Sequence, residues 1–397
     1  MPRVACPYCY ERIDDDRLAF RCLGHGAPGG DATTCRPALD PTRQKLTGYA
    51  GPSNPVFRAP GVLRSPRRAK CSSCGGGTGA RACPECHTPL PTTFVGSSSP
   101  LIGLVGGKGA GKTVYLTVLD HELRANVRKP FDADVRPVGD EHGGDSTTAG
   151  LLASAQRALF DDGELLEQTA KAVDGRKEPV VLQWRQPYRS IGRERHRTTL
   201  LSFYDTAGED LTDRASVESQ RYLGAADGLI VLLDPWQLAA ARDQLDVPDA
   251  AVAGAEAPLA VLTQLTEALR AAHGVRPTKR IRRPVAVVFA KLDALFDTLE
   301  PSDAVFARPR KEGGYDDADG QAVHESIASL LRRLGADEID SQLRANYADF
   351  RYFGVSALGS PPDYKSKEVD PGGVRPFRVE DPLLWLLWRK NVIERLR

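Results

Sequence analysis

The octapeptide GGKGAGKT at Gly106 to Thr113 constrains the fold of this chain more than any other stretch. It follows the apolar run LIGLVG and leads into KTVYLTVLDHEL, so a glycine-rich turn stands between a strand and a helix. G-x-x-x-x-G-K-T in that setting predicts a phosphate cradle. Gly106, Gly109 and Gly111 let backbone N–H groups converge at a helix N-terminus, Lys112 reaches the terminal phosphates, and Thr113 ligates magnesium.

Further strands follow in a rhythm that fits this start. TTLLSFYDTAGED, GLIVLLDP, PVAVVFAKLD and FRYFGVSAL alternate with helical patterns at about 257–272 and 319–334. Near-continuous Val, Ile and Leu in the strands predicts a buried sheet. The expected fold is α/β: a P-loop NTPase over 101–397 with a mostly parallel sheet flanked by helices, and a helical insert at about 134–175. Asp205, closing its strand, is placed to hold magnesium, and Gly208 to offer an N–H to the terminal phosphate. A threonine must close over the metal from the segment between the first helix and the DTAG strand. Thr169 is the first choice, with Thr147 and Thr148 as rivals. Glu209 directly follows the DTAG glycine, and Lys108 sits where its charge can meet the terminal phosphate. The closing segment Leu383 to Leu396 reads as a helix with an apolar stripe, with Trp385 and Trp388 in the core.

The amino-terminal part has different chemistry. All eight cysteines of the chain lie in its first 86 residues, six of them in the pairs CPYC, CSSC and CPEC. No secretory leader precedes them, so zinc in a reducing compartment fits better than disulfides. Residues 1–90 are therefore expected to form a module with two zinc ions, joined by a linker at 91–100. The spacing of CSSC and CPEC suggests Cys71, Cys74, Cys83 and Cys86 around one ion. Cys6, Cys9, Cys22 and Cys35 would then hold the other, with His25 a rival for the last place. Cys6 and Cys9 could instead pair with Cys71 and Cys74 in a cross-braced arrangement. Arg58, Arg64, Arg67, Arg68 and Lys70 suggest nucleic acid, but thiolate charge offsets much of their excess and no aromatic residues interleave them. A protein-docking role is favoured. A formal net charge of +1 argues against a wholesale nucleic-acid or membrane-surface protein. No apolar run approaches the length of a membrane span, and a cytoplasmic location is expected.

GGKGAGKT, DTAG, AKLD and VSAL stand in that order at strand ends, and in this the chain resembles the Ras-like, translation-factor class of P-loop GTPases. The resemblance implies GTP and GDP as ligands with magnesium, Lys291 and Asp293 on the guanine base, and Ser356 with Ala357 near its carbonyl. It departs at Ala290, where the family commonly has Asn or Thr bracing the base loop. Zinc knuckles ahead of the GTPase and a closing EDPLLWLLW segment further resemble the bacterial double-GTPase families assigned to conflict or defence systems. The function implied is a GTP-binding, slowly hydrolysing switch that reaches protein partners through its zinc module or its switch segments. The alternatives are a nucleotide-binding interaction module that does not hydrolyse, and an ATP-using P-loop protein.

Overall fold

The computed structural model describes residues 3–27, 35–59, 66–95, 97–138, 148–166, 179–190, 193–205, 217–238, 241–242, 256–310 and 312–396. The chain forms two compact units. One comprises Met1–Leu101, Arg136–Leu151 and Lys171–Phe203, and the other Ile102–Val135, Leu152–Ala170 and Tyr204–Arg397.

In the first unit, two short antiparallel ladders carry the cysteine turns. Arg3–Ala5 pairs with Arg12–Asp14 around CPYC, and Ala69–Lys70 pairs with Gly77–Thr78 around CSSC. A four-stranded sheet places Ala19–Arg21 between Val56–Phe57 and Arg81–Ala82, with Pro89–Leu90 beyond. Strands of two or three residues bury little apolar surface, so such a unit needs further fastening. Part of it comes from a long antiparallel hairpin, Val180–Ser190 with Arg193–Asp205, in register from Val180↔Phe203 to Ser190↔Arg193. Val181 and Leu200 of the hairpin share one core with Tyr8, Ile13, Leu18, Leu90, Phe94 and four of the cysteines.

In the second unit, Leu101–Gly106, Gly228–Leu233, Val285–Phe289 and Phe350–Gly354 pair in parallel in that order. Every residue of the first three is buried, as expected of strands covered on both faces. The helix Asp381–Arg389 packs on the middle strands, and Asp317–Arg333 packs on Phe350–Gly354. Pro258–His273 lies against Val217–Ala225. This is the α/β class expected, with the phosphate loop at the C-terminal end of its strand.

The insert opens with the strand Asp134–Pro137, and its helical stretch, expected near 148–160, is formed by Thr148–Gln156 and Arg157–Asp162. One local expectation is corrected. The closing helix ends at Arg389, well before Leu396. Asn391 takes a left-handed backbone (φ 56°), which interrupts the helical path, and Glu394–Arg395 then pairs with Gly314–Tyr315. Trp385 is in the core, whereas Trp388 is partly exposed and stacks on Tyr315 at 5.5 Å. Among the described residues no helix is long and apolar enough to cross a membrane.

Candidate functional site

The phosphate loop is built as its sequence requires. Gly109 (φ 77°) and Gly111 (φ 82°) adopt left-handed conformations that a side chain would strain, and Gly111 caps the helix Lys112–Glu122. A Cβ on Gly106 would lie 2.9 Å from the carbonyl oxygen of Leu232, so only glycine fits there without a shift. Lys112 Nζ donates to the carbonyls of Gly106 (2.8 Å) and Gly107 (3.1 Å), which holds the ammonium across the loop. Thr113 occupies the first turn of the helix, and Lys108 is exposed on the loop. Glu256 lies against this loop. A Cβ on Gly107 would be 3.2 Å from its Oε2, a buried oxygen without a hydrogen-bond partner among the described residues.

A second cluster gathers where two neighbouring parallel strands end. Lys291 follows Val285–Phe289 and Ala290, with a left-handed backbone (φ 53°) that starts the turn Leu292–Thr298. The Ala290 N–H donates to Leu233 O (3.0 Å) and the Leu292 N–H to Val355 O (3.0 Å), fastening the loop on both sides. Asp293 shares a hydrogen bond with the Ser356 side chain. Burial raises the Asp293 carboxyl above its ordinary range, opposed by that bond and by the charge of Lys291, while Asp234 pushes the same way as burial. Ser356 is fully buried, its Oγ accepts from the Gly359 N–H (2.7 Å), and Ala357 follows it, partly exposed.

The residues that the sequence did not reveal are the neighbours of Lys291. Its Nζ lies 2.6 Å from Asp234 Oδ2 and 4.9 Å from the ring centre of Trp236. Tyr364 meets Trp236 edge-on at 5.8 Å. Asp234 and Trp236 are both 4% exposed. The signal available was DPW at a strand end, which reads equally well as an ordinary turn.

Thr169, Thr147, Gly208 and Glu209 lie outside the described residues. Asp205 is the last residue of its strand and Thr148 the first of its helix, and the side chains of both lie outside the described residues.

The eight cysteines form two buried sets, Cys6, Cys9, Cys83 and Cys86, and Cys22, Cys35, Cys71 and Cys74. Both partitions expected from spacing are thereby corrected. CSSC and CPEC do not share an ion, CPYC does not pair with CSSC, and His25 is exposed and outside both sets. The reason is strand pairing. Residues 77–82 are spent on Gly77–Thr78 and Arg81–Ala82, which hold CSSC and CPEC at opposite ends of an extended run. Ala19–Arg21 runs antiparallel to Arg81–Ala82, so Cys22 is carried toward CSSC and away from Cys83.

Both sets fit zinc. Sulfur separations of 3.8 and 3.9 Å in the first, and 3.5 and 3.7 Å in the second, bracket the edge of about 3.8 Å of a tetrahedron with ~2.3 Å zinc–sulfur bonds. They are far from the ~2.05 Å of a disulfide. Backbone N–H groups of Gly24 and Glu85 donate to Cys22 and Cys83 sulfurs at 3.3 and 3.4 Å, although burial still raises the Cys22 thiol. Such bonds favour thiolates, the form that binds metal.

The CPYC turn is fixed to the hairpin of the same unit. Ser202 Oγ, fully buried, donates to Pro7 O at 2.6 Å, and Tyr8 Oη donates to Val138 O at 3.4 Å.

The family model for Double-GTPase 2 matches residues 100–357. A Mycolicibacterium smegmatis protein, SaeC, provisionally named an ESX-1 scaffolding and assembly protein, is 26% identical over 413 residues, covering 96% of this chain and 97% of its own. Sup35 complexed with GMPPNP is 13% identical with a TM-score of 0.24, over 72% of this chain and 44% of that one. The Ski7 GTPase-like domain of S. cerevisiae, bound to GTP, is 10% identical with a TM-score of 0.28, over 74% and 50%. The chain thus spans half or less of those solved chains, and likenesses this remote fix neither ligand nor activity.

Proposed function

Because the chain belongs to the Double-GTPase 2 family, we propose that it binds guanine nucleotide with magnesium, hydrolyses GTP slowly, and acts as a switch in the assembly of a protein complex. The observation that carries this reading is the pairing of a formed phosphate loop with a base loop, each at the C-terminal end of a parallel strand of one unit. That is where open α/β sheets take their ligands. Gly106, Gly109, Gly111 and Lys112 would cradle the phosphates. Thr113 and Asp205 would hold magnesium, joined by Thr169, and the ion would neutralise charge on the transferred phosphoryl group. Gly208 would donate to the terminal phosphate, Lys108 would add a positive charge, and Glu209 would position water. A carboxylate there is repelled by the phosphate, which is the basis for expecting slow turnover. Asp293 would accept from the two guanine donors that adenine lacks, with Lys291 against the base and Ser356 and Ala357 at the carbonyl.

Two zinc ions in the four-cysteine sets would give the first unit the fastening its short strands need. We assign this unit to partner docking. The full-length similarity to a protein named for scaffolding and assembly supports an assembly role over a conflict system. Ala290, in place of a bracing polar residue, favours a second reading in which the protein holds nucleotide without turning it over.

The test is made on full-length protein purified without chelator, measuring bound metal, released nucleotide and single-turnover hydrolysis of GTP. About two zinc per chain, GDP or GTP in the released fraction and slow conversion of GTP are expected. GTP unchanged over hours selects the second reading, and adenine nucleotide in the released fraction overturns both.

A further inference from the structure

Lys291 has two carboxylates within reach of its charge, and it is bonded to the one that the base does not need. Asp234 Oδ2 holds the ammonium at 2.6 Å while Asp234 Oδ1 accepts from the backbone N–H of Trp236 at 3.0 Å, so the anchoring carboxylate is itself fixed at both oxygens. The face of Trp236 lies under the ammonium at 4.9 Å. Asp293, two residues beyond Lys291, feels the charges of both Lys291 and Asp234 but forms no ion pair with the lysine among the described residues.

We propose that Asp234, seated on Trp236, is a positioning and specificity residue: it keeps Lys291 away from Asp293, so that the Asp293 carboxylate stays open to the guanine N1–H and 2-amino donors. This deepens the guanine reading given above and rests on it. The electrostatics set the direction. Lys291 is only partly exposed, so when it loses its partner its ammonium is drawn toward a remaining carboxylate of the site. For a lysine released from Asp234 that is Asp293, and an ammonium on that carboxylate competes with the base for the same oxygens. The device also answers the alanine at 290. The missing side chain would have braced the loop from one side, and here the Lys291–Asp234 pair ties it to the neighbouring strand end.

The experiment measures equilibrium binding of a fluorescent GDP analogue, competed by GDP, IDP and ADP, for full-length protein and three variants. IDP lacks the 2-amino donor, so the preference for GDP over IDP reports the second bond to Asp293. Asp234→Asn is expected to weaken GDP about tenfold or more and to erode the GDP-over-IDP preference. Asp234→Glu should retain both in large part. Asp234→Asn combined with Lys291→Met, which keeps the aliphatic stem and removes the competing charge, should recover the preference lost by the single variant. A merely structural role for Asp234 predicts no such recovery. Unchanged affinity and preference in Asp234→Asn, or a double variant no better than the single one, overturns the proposal alone. A wild-type protein that binds ADP as well as GDP overturns the guanine reading and this proposal together.

Discussion

Replacing Ser202 by Ala removes the bond that ties the CPYC turn to the hairpin. Ser202 is fully buried and its Oγ donates to Pro7 O at 2.6 Å, so the variant leaves a buried carbonyl without a donor at the turn that carries Cys6 and Cys9. A buried acceptor stripped of its partner costs about 1–3 kcal/mol. Zinc binding to a four-cysteine site is worth about 10–16 kcal/mol, so the loaded turn should stay formed. The loss should then appear as weaker zinc affinity, by about 5- to 150-fold, to the extent that seating the turn and closing the site are one event. Titration with a chromogenic chelator reads this directly, because the second set, Cys22, Cys35, Cys71 and Cys74, shares no ligand with the first and serves as an internal reference. One of two release phases should move to lower chelator concentration and the other should not. Two unchanged phases, or two phases weakened equally, would refute the coupling of turn and hairpin.

Two further outcomes follow from the second unit. Burial lifts the Asp293 carboxyl, and guanine needs it ionised; on acidification Asp293 protonates earlier than an ordinary aspartate of about 3.9, so GDP affinity should begin to fall above that range, in a titration that Asp293→Asn no longer shows. Gly354→Ala would place a Cβ 2.7 Å from Leu292 Cδ2 and 2.8 Å from Ile327 Cδ1 and should destabilise by about 1–3 kcal/mol in urea unfolding, whereas Gly224→Ala, whose nearest contact is 3.7 Å, should stabilise its helix by about 0.5–1 kcal/mol.

What could be read from the sequence was what depends on neighbours along the chain. The phosphate loop is local: its glycines, lysine and flanking strand and helix all fall within about twenty residues, and each has one conformational use. The parallel strands were equally plain because burial on both faces leaves no alternation to confuse with helix. The zinc partition was not readable, because it is decided by the antiparallel pairing of Ala19–Arg21 with Arg81–Ala82, which no spacing of cysteines encodes. The same holds for Asp234 and Lys291, 57 positions apart, and for Pro7 and Ser202, 195 apart. Both pairs unite ordinary residue types whose meaning comes only from the contact. The early end of the last helix escaped for another reason: its apolar stripe continues past Arg389 into Val392 and Ile393, which are buried outside a helix.

The strand Arg193–Asp205 carries Ser202 at the knuckle contact and ends at Asp205. Between the two lie only Phe203 and Tyr204, so the strand works as a ruler. Substitution at these two positions is a matter of volume and polarity, but insertion or deletion of one residue turns all that follows onto the other face. Such a change would turn Asp205, the last residue of the strand, onto the opposite face while Ser202 keeps its bond to Pro7 O. Lengthening a flexible surface loop carries a much smaller penalty. Those two intervening positions therefore tolerate substitution better than a change in length.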